Sequence, residues 1–410
     1  MPLSREDNDR LCRVENGAPM GEFLRSNYWF PACLSMQLEC DAPPLRVKLL
    51  GKPFVAFRST DGRVGFFPEG CPHRGTSLAL ARNEDNALRC NYHGWKFRVD
   101  GVTVEVPTQP EHHEEFCKSV PLKAYPVREA GRMVWVWLGD GPAAKFPDFE
   151  FNTVPDDQCY AIVQRVRYNW VQGVEGQVDS AHISILHQDW VRGTDDNNIA
   201  SAVKDTAPYY EFQDIDAGFR YAAIRDIGGG EQYIRVTAFA APWYCFIPFA
   251  EGTCEIHVPI DDVTTALYIV RWNADGPPKA DHLNPAEDPA NYPPYLKGDA
   301  SQRWGQDREA MNNGSFAGFP YHVIAEDFAV GESQGALADR TVEFLNTADR
   351  AVMRFRRVLF DGLAQYEAGK LPGVADHERI DFPSILAAGI TVPTATDWRT
   401  YNAPKALAEL

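Results

Sequence analysis

Over residues 45–138 the chain alternates short apolar runs with turn dipeptides. Residues 54–59, 64–67, 95–99 and 102–106 have the length and the aromatic or β-branched content of strands, with Asp61-Gly62 and Asp100-Gly101 between consecutive members. Asp-Gly in that position favours the positive-φ turn of a hairpin, so each pair predicts one. The block ends on the alternating Val134-Trp-Val-Trp137, and Asp140-Gly-Pro with Pro147 marks a boundary. The pattern predicts a small all-β domain over residues 28–145. Beyond it, strand-like runs at 219–224, 233–239, 254–259 and 266–272 mix with helical segments, which predicts an α+β domain over 146–410 built on an antiparallel sheet. Ile227-Gly-Gly-Gly230-Glu lacks the spacing of a dinucleotide-binding loop and predicts a turn between strands. No internal repeat is present.

Composition excludes some classes. At 410 residues with 44% hydrophobic content the chain can fill two or three cores. A net charge of -17 repels phosphate backbones, so no nucleic-acid partner is expected. No apolar run approaches the roughly 18 residues of a membrane span, so no membrane is expected either. The nine cysteines are odd in number and follow no disulfide framework, and MPLSREDNDRL is charged where a signal peptide is apolar. The expected compartment is a reducing cytoplasm.

Two loops carry the densest chemistry. Cys71-Pro-His73-Arg-Gly and Cys90-Asn-Tyr-His93-Gly-Trp set two thiols and two imidazoles at metal-binding spacing, sixteen residues apart. Two sulfur and two nitrogen ligands suit a tetrahedral zinc or a [2Fe–2S] cluster with two His on its outer iron, and ligand type alone does not choose. Arg74, Arg82, Arg89, Lys96 and Arg98 surround these loops, against Glu84, Asp85 and Asp100, a basic neighbourhood in an acidic chain. It reads either as ordinary solvated charge or as a docking face for an acidic electron donor.

A second constellation runs from Asn169 to His187. On a helix Glu175, Asp179 and His182, spaced four and then three apart, share one face. His187 lies about 140° further round, so His182 and His187 can meet one metal only if the helix ends or distorts between them. Two His and a carboxylate from elsewhere form the facial triad of mononuclear non-haem iron sites.

The CPHRG and CNYHGW loops, the Asp179-x-x-His182-x4-His187 segment and Ala325-Glu-Asp327-Phe-Ala-Val-Gly-Glu-Ser-Gln-Gly together resemble the oxygenase component of Rieske non-haem iron oxygenases, in the phthalate dioxygenase-like branch. The resemblance covers nearly the whole chain. It implies an N-terminal Rieske domain, a catalytic domain of helix-grip, START-like form with helices flanking its sheet, and an N-terminal segment, residues 1–27, packed on that domain. It further implies that Cys71 and Cys90 hold the inner iron of a [2Fe–2S] cluster and His73 and His93 the outer iron. His182, His187 and Asp327 would bind a mononuclear Fe(II), with Glu326, Glu332, Asp339 and Asp349 as neighbouring carboxylates. Asp179 would bridge this site to the cluster of an adjacent subunit in a homotrimer, or a multiple of one, fixing a His tautomer on the way.

The resemblance implies O2-dependent hydroxylation of an aromatic carboxylate of phthalate or benzoate type. Monooxygenation or O-demethylation of a methoxylated aromatic acid uses the same residues, and a Rieske electron-transfer protein is the reading from another class. The chain has neither a nucleotide fingerprint nor a ferredoxin-type Cys set, so a separate NAD(P)H-dependent reductase, with or without a ferredoxin, is expected. Arg220 and Arg235 could meet a substrate anion, and Trp243, Phe246 and Phe249 could wall an aromatic pocket, although all five are equally readable as core or surface. Residues 275–298, with six prolines, form a long irregular excursion.

Overall fold

The computed structural model describes residues 2–193, 197–249, 251–278, 296–320 and 322–400. Most of the proline-rich excursion, residues 279–295, lies outside them. Ten strands make up the first domain: β1 (Trp29–Leu34), β2 (Leu45–Leu49), β3 (Lys52–Arg58), β4 (Val64–Pro68), β5 (Arg82–Glu84), β6 (Ala87–Arg89), β7 (Lys96–Arg98), β8 (Thr103–Glu105), β9 (Val127–Ala130) and β10 (Met133–Trp137). They form three antiparallel sheets, ordered β1-β10-β9, β2-β3-β4 and β5-β6-β7-β8. Both Asp-Gly dipeptides turn hairpins, β3 to β4 and β7 to β8. β10 is buried along its whole length, because one face lies in its own domain and the other meets the next: Trp135 stacks toward Tyr244, and Phe30 of β1 packs edge-on against Trp243.

The second domain is built on eight strands: β11 (Cys159–Val166), β12 (Tyr209–Ile215), β13 (Gly218–Gly228), β14 (Glu231–Ala240), β15 (Tyr244–Phe246), β16 (Gly252–Pro259), β17 (Thr265–Trp272) and β18 (Ala388–Pro393). Their order is β11-β17-β16-β15-β14-β13-β12, and β18 joins the long β14 beside β15. Gly228-Gly-Gly230 turns β13 into β14. The helices are α1 (Arg5–Cys12), α2 (Pro19–Asn27), α3 (His113–Ser119), α4 (Trp170–Val178), α5 (Gln188–Gly193), α6 (Asn197–Ala200), α7 (Arg308–Asn312), α8 (Val323–Ser333) and α9 (Arg350–Glu367). Strands β11 and β17 present alternate residues to opposite sides. Ile162, Leu267 and Ile269 pack with Ala325 and Phe328 of α8, whereas Tyr268, Val270 and Trp272 join the core shared with the first domain. Among the described residues no helix is long and apolar enough to cross a membrane.

Two features place α4. Its N-cap Asn169 accepts from Val171 N–H and donates to the carbonyls of Cys12 and Asp262 at 2.9 and 2.8 Å, tying α1 and the β16–β17 turn to the start of the helix. Further on, Gly173 lies against β16 so closely that a Cβ there would stand 2.2 Å from His257 Nδ1. Glu175 sits at the centre of a buried ion cluster. Arg340 meets it at 2.9 and 2.6 Å, Arg356 at 2.6 Å, and Arg340 also donates to Asn8 of α1.

Candidate metal centres

The two ligand loops of the first domain are closed in the same way. Gly75 N–H donates to Cys71 C=O and Gly94 N–H to Cys90 C=O, while Cys71 and Cys90 N–H donate to Thr76 and Trp95. Each turn needs a left-handed residue, supplied by Gly75 and Gly94 at φ +75° and +76°. Both thiols are buried and unbridged. The His73 and His93 rings lie 4.5 Å apart, and His73 stacks on Trp95. His93 Nδ1 is buried with no hydrogen-bond partner among the described residues, a state that costs free energy unless something binds there. The two thiols thus lie within reach of each other and the two imidazoles meet, each loop supplying one of each kind.

The basic residues nearby are answered by carboxylates. Arg82 pairs with Glu84, Arg89 with Glu84 and Glu105, Lys96 with Asp85 and Arg98 with Asp100, all at 2.7–3.0 Å. Four of the five basic residues are thus paired within the sheet, whereas Arg74 lies over the Tyr92 ring. This end of the domain also exposes apolar side chains: Leu80 at 66% and Tyr92 at 53%.

In the second domain α4 stops at Val178. Asp179 takes extended backbone and its side chain accepts from Ala181 N–H at 2.8 Å, so the chain leaves the helix before His182. A 3-10 turn, His182–Ser184, follows, and α5 begins just after His187. This break carries both imidazoles to one point, their ring centroids 4.9 Å apart. It also corrects the shared-face expectation: Glu175 points into the arginine cluster, away from Asp179 and His182.

The third group comes from α8. Asp327 Oδ1 stands 3.1 Å from His187 Nε2 and 3.7 Å from His182 Nε2, and one donor atom from each residue lies within 4.8 Å of the others. Of the neighbouring carboxylates, Glu326 bonds His187 Nδ1 at 2.6 Å, Glu332 pairs with Arg167, Asp339 with Arg5, and Asp349 caps a turn with Asn346. Asp179 Oδ2 lies 3.3 Å from His182 Nδ1. Burial pushes the Asp179 and Asp327 carboxyls up, but His182 and His187 outweigh it and hold both below the usual range. Burial likewise lowers the His187 imidazole, yet Asp327 and Glu326 raise it to about 10. At Glu326 burial outweighs His187 and raises the carboxyl. Two nitrogens with one carboxylate are the donor set of a facial triad.

The sheet facing this site contributes groups that the sequence reading missed. Glu255 and His257 alternate within the apolar β16, and polar residues at period two in such a strand were the available signal. Burial and then Asp327 push the Glu255 carboxyl up to about 8, with Arg271, His187 and Arg235 opposing. Burial pushes His257 down to about 3. Arg235 is 5% exposed, donates to Pro248 C=O at 3.2 Å, and leaves Nε without a partner among the described residues. Arg220 instead bonds Gln213 and covers Trp398. Trp243 and Phe246 are core: the first packs on Phe30 and Trp170, the second on Phe149 and Trp272. Phe249 lies under the Arg271 guanidinium.

Fold and sites define the class of a Rieske oxygenase: residues 28–126 match the Rieske [2Fe-2S] domain, and 136–410, more than half the chain, match the LigXa C-terminal domain like family. The chain belongs to the Rieske non-haem iron oxygenases and is the oxygenase component of a ring-hydroxylating or demethylating oxidoreductase. Within them it stands in the phthalate dioxygenase-like branch. It is 38% identical to the phthalate 4,5-dioxygenase oxygenase subunit of Pseudomonas putida, over 98% of this chain and 95% of that one. Identity to the 3-chlorobenzoate-3,4-dioxygenase oxygenase subunit of Comamonas testosteroni is 33%, over 96% of each. The solved structure of dicamba monooxygenase bound to dicamba shares the fold, with a TM-score of 0.57 at 18% identity over 85% of this chain and 99% of that one.

Proposed function

We propose that the enzyme hydroxylates an aromatic carboxylate of phthalate or benzoate type, with Cys71, Cys90, His73 and His93 holding the [2Fe–2S] cluster and His182, His187 and Asp327 the mononuclear iron. The observation that carries this reading is the convergence of His182 Nε2, His187 Nε2 and Asp327 Oδ1 within 4.8 Å beside a sheet that buries Arg235. When bound, the two centres supply electrons and the open coordination positions at which dioxygen is used. The chain's own residues then set substrate and protons. Arg235, with an unpartnered buried Nε, receives the substrate carboxylate, since a buried donor otherwise bears its full desolvation cost. Burial holds the Glu255 carboxyl above the usual range, and in its neutral form it offers an O–H where an ionised carboxylate would repel an anion.

Asp179 links two subunits in this reading. Its side chain is 27% exposed while still bonded to His182, so it can reach a cluster ligand presented by a neighbouring copy. The exposed Leu80 and Tyr92 at the cluster end, and Ile185 beside the iron segment at 44%, are apolar surface of the kind a subunit contact covers. A homotrimer, fed by a separate NAD(P)H-dependent reductase directly or through a ferredoxin, follows. The "oxygenase subunit" named for both relatives supports that division of labour.

Turnover with a generic reductase and labelled dioxygen, across phthalates, benzoates and methoxybenzoates, tests the reading. Two labelled oxygens in a cis-diol establish ring dioxygenation. One oxygen, or methyl loss with formaldehyde, establishes the monooxygenase or demethylase reading on the same site, and no oxygen incorporation from any aromatic acid refutes both.

A further inference from the structure

Both imidazoles of the second site have a carboxylate behind them. Asp179 Oδ2 stands 3.3 Å from His182 Nδ1, and Glu326 Oε2 stands 2.6 Å from His187 Nδ1. A neutral imidazole has one N–H and one lone pair, so a carboxylate that accepts from Nδ1–H leaves the lone pair on Nε2. In both rings Nε2 is the atom turned toward Asp327.

The two carboxylates are not equivalent. Asp179 ends α4, stays partly open to solvent and also caps Ala181. Glu326 is 2% exposed and is the residue directly before Asp327 on α8. Neighbouring positions on a helix are rotated by about 100°, and His187 lies in the angle between them. One turn of α8 therefore presents Glu326 to Nδ1 and Asp327 to Nε2 of the same ring. Having its oxygen on the far nitrogen, Glu326 stands behind the ligand, with the imidazole between it and any ion at Nε2.

We infer that Glu326 is a positioning residue for iron: it fixes the His187 tautomer, locks the ring plane and makes Nε2 a stronger donor. This rests on the reading of His182, His187 and Asp327 as the iron ligands. The pair of Glu326 on α8 with His187 is internal to one subunit, so it works whether or not the Asp179 link to a neighbour is made. It leaves the site with one internally secured histidine and one whose partner is shared with the surface.

The test is Fe(II) titration of the full-length oxygenase, its [2Fe–2S] cluster intact and its mononuclear iron removed, for wild type, Glu326→Gln, Glu326→Ala and Asp327→Ala. Glu326→Ala is expected to weaken Fe(II) binding by roughly 10- to 100-fold, and Glu326→Gln by less, because its amide oxygen still accepts from Nδ1–H. The EPR line shape of the nitric oxide adduct of the bound Fe(II) should change in both variants, while the cluster spectrum stays as in wild type. Affinity within about twofold of wild type with an unchanged adduct spectrum overturns the inference, since such a partner should count for more. So does a Gln variant that loses iron as completely as Asp327→Ala, because Glu326 would then be a ligand. Failure of the wild type itself to take up Fe(II) would instead refute the site reading on which the inference stands.

Discussion

Replacing Glu175 by Gln removes the negative charge from the centre of a cluster that holds α1, α4 and α9 together. Arg340 and Arg356 are 2% and 7% exposed at their side chains, and the Glu175 carboxylate takes three hydrogen bonds from Arg340 and one from Arg356. The amide keeps the volume and one acceptor oxygen but leaves two buried guanidiniums with Glu343, which is hydrogen-bonded to Arg356 and acts on Arg340 only through space. Breaking a buried, hydrogen-bonded ion pair costs about 3–5 kcal/mol. At roughly 2 °C per kcal/mol for a domain of this size, the apparent Tm followed by circular dichroism should fall by about 6–10 °C. The exposed Arg5–Asp339 pair is the control: Arg5→Ala should shift Tm by no more than about 2 °C. Acid adds a second readout. Burial raises the Glu175 carboxyl, but Arg340 and Arg356 outweigh it and hold it below the usual range. Its contribution is therefore fully present above the ordinary carboxylate pKa of about 4.3 and is lost as pH falls through the lower folded value. Wild type should lose stability in that acid window, and Glu175→Gln should lose less there. A Tm within about 1 °C of wild type, or identical acid limbs, would show that the arginines do not depend on this carboxylate.

Asp327→Ala should abolish mononuclear iron retention and leave the [2Fe–2S] absorption intact, as metal analysis with visible spectroscopy will show; normal iron content would remove Asp327 from the ligand set. Asp179→Asn should keep both metals yet lose coupled turnover in single-turnover and steady-state assays, and near-normal turnover would reject the link between subunits. Arg235→Leu removes a charged donor worth about 1.5–3 kcal/mol, so KM for the aromatic acid should rise by about tenfold or more; an unchanged KM would move the carboxylate to another residue.

What was legible in the chain was local. The Cys and His of both loops announce themselves by spacing, and the Asp-Gly hairpins need only the residues beside them. The end of α4 was also readable, since two histidines five apart cannot share a helical face. The rest depended on distance in sequence. Glu175 finds Arg340 and Arg356 at separations of 165 and 181 residues, which no periodicity reports. Trp243 and Phe246 flank or lie in β15, which is buried throughout, and an apolar run buried on both faces does not say which side meets substrate. One ion pair was legible too: Arg82 and Glu84 sit two apart on one strand, where side chains share a face.

The hold of Arg340 on Asn8, 332 residues earlier, also has a temporal meaning. At a synthesis rate of about 5–20 residues per second, roughly 17 to 66 s separate the making of Asn8 from that of Arg340. Asn169 and Trp170, which hold the Cys12 carbonyl, are made earlier, so this anchor is the late one. The contacts of α1 are thus completed only after Arg340 has been made, long after the helix itself.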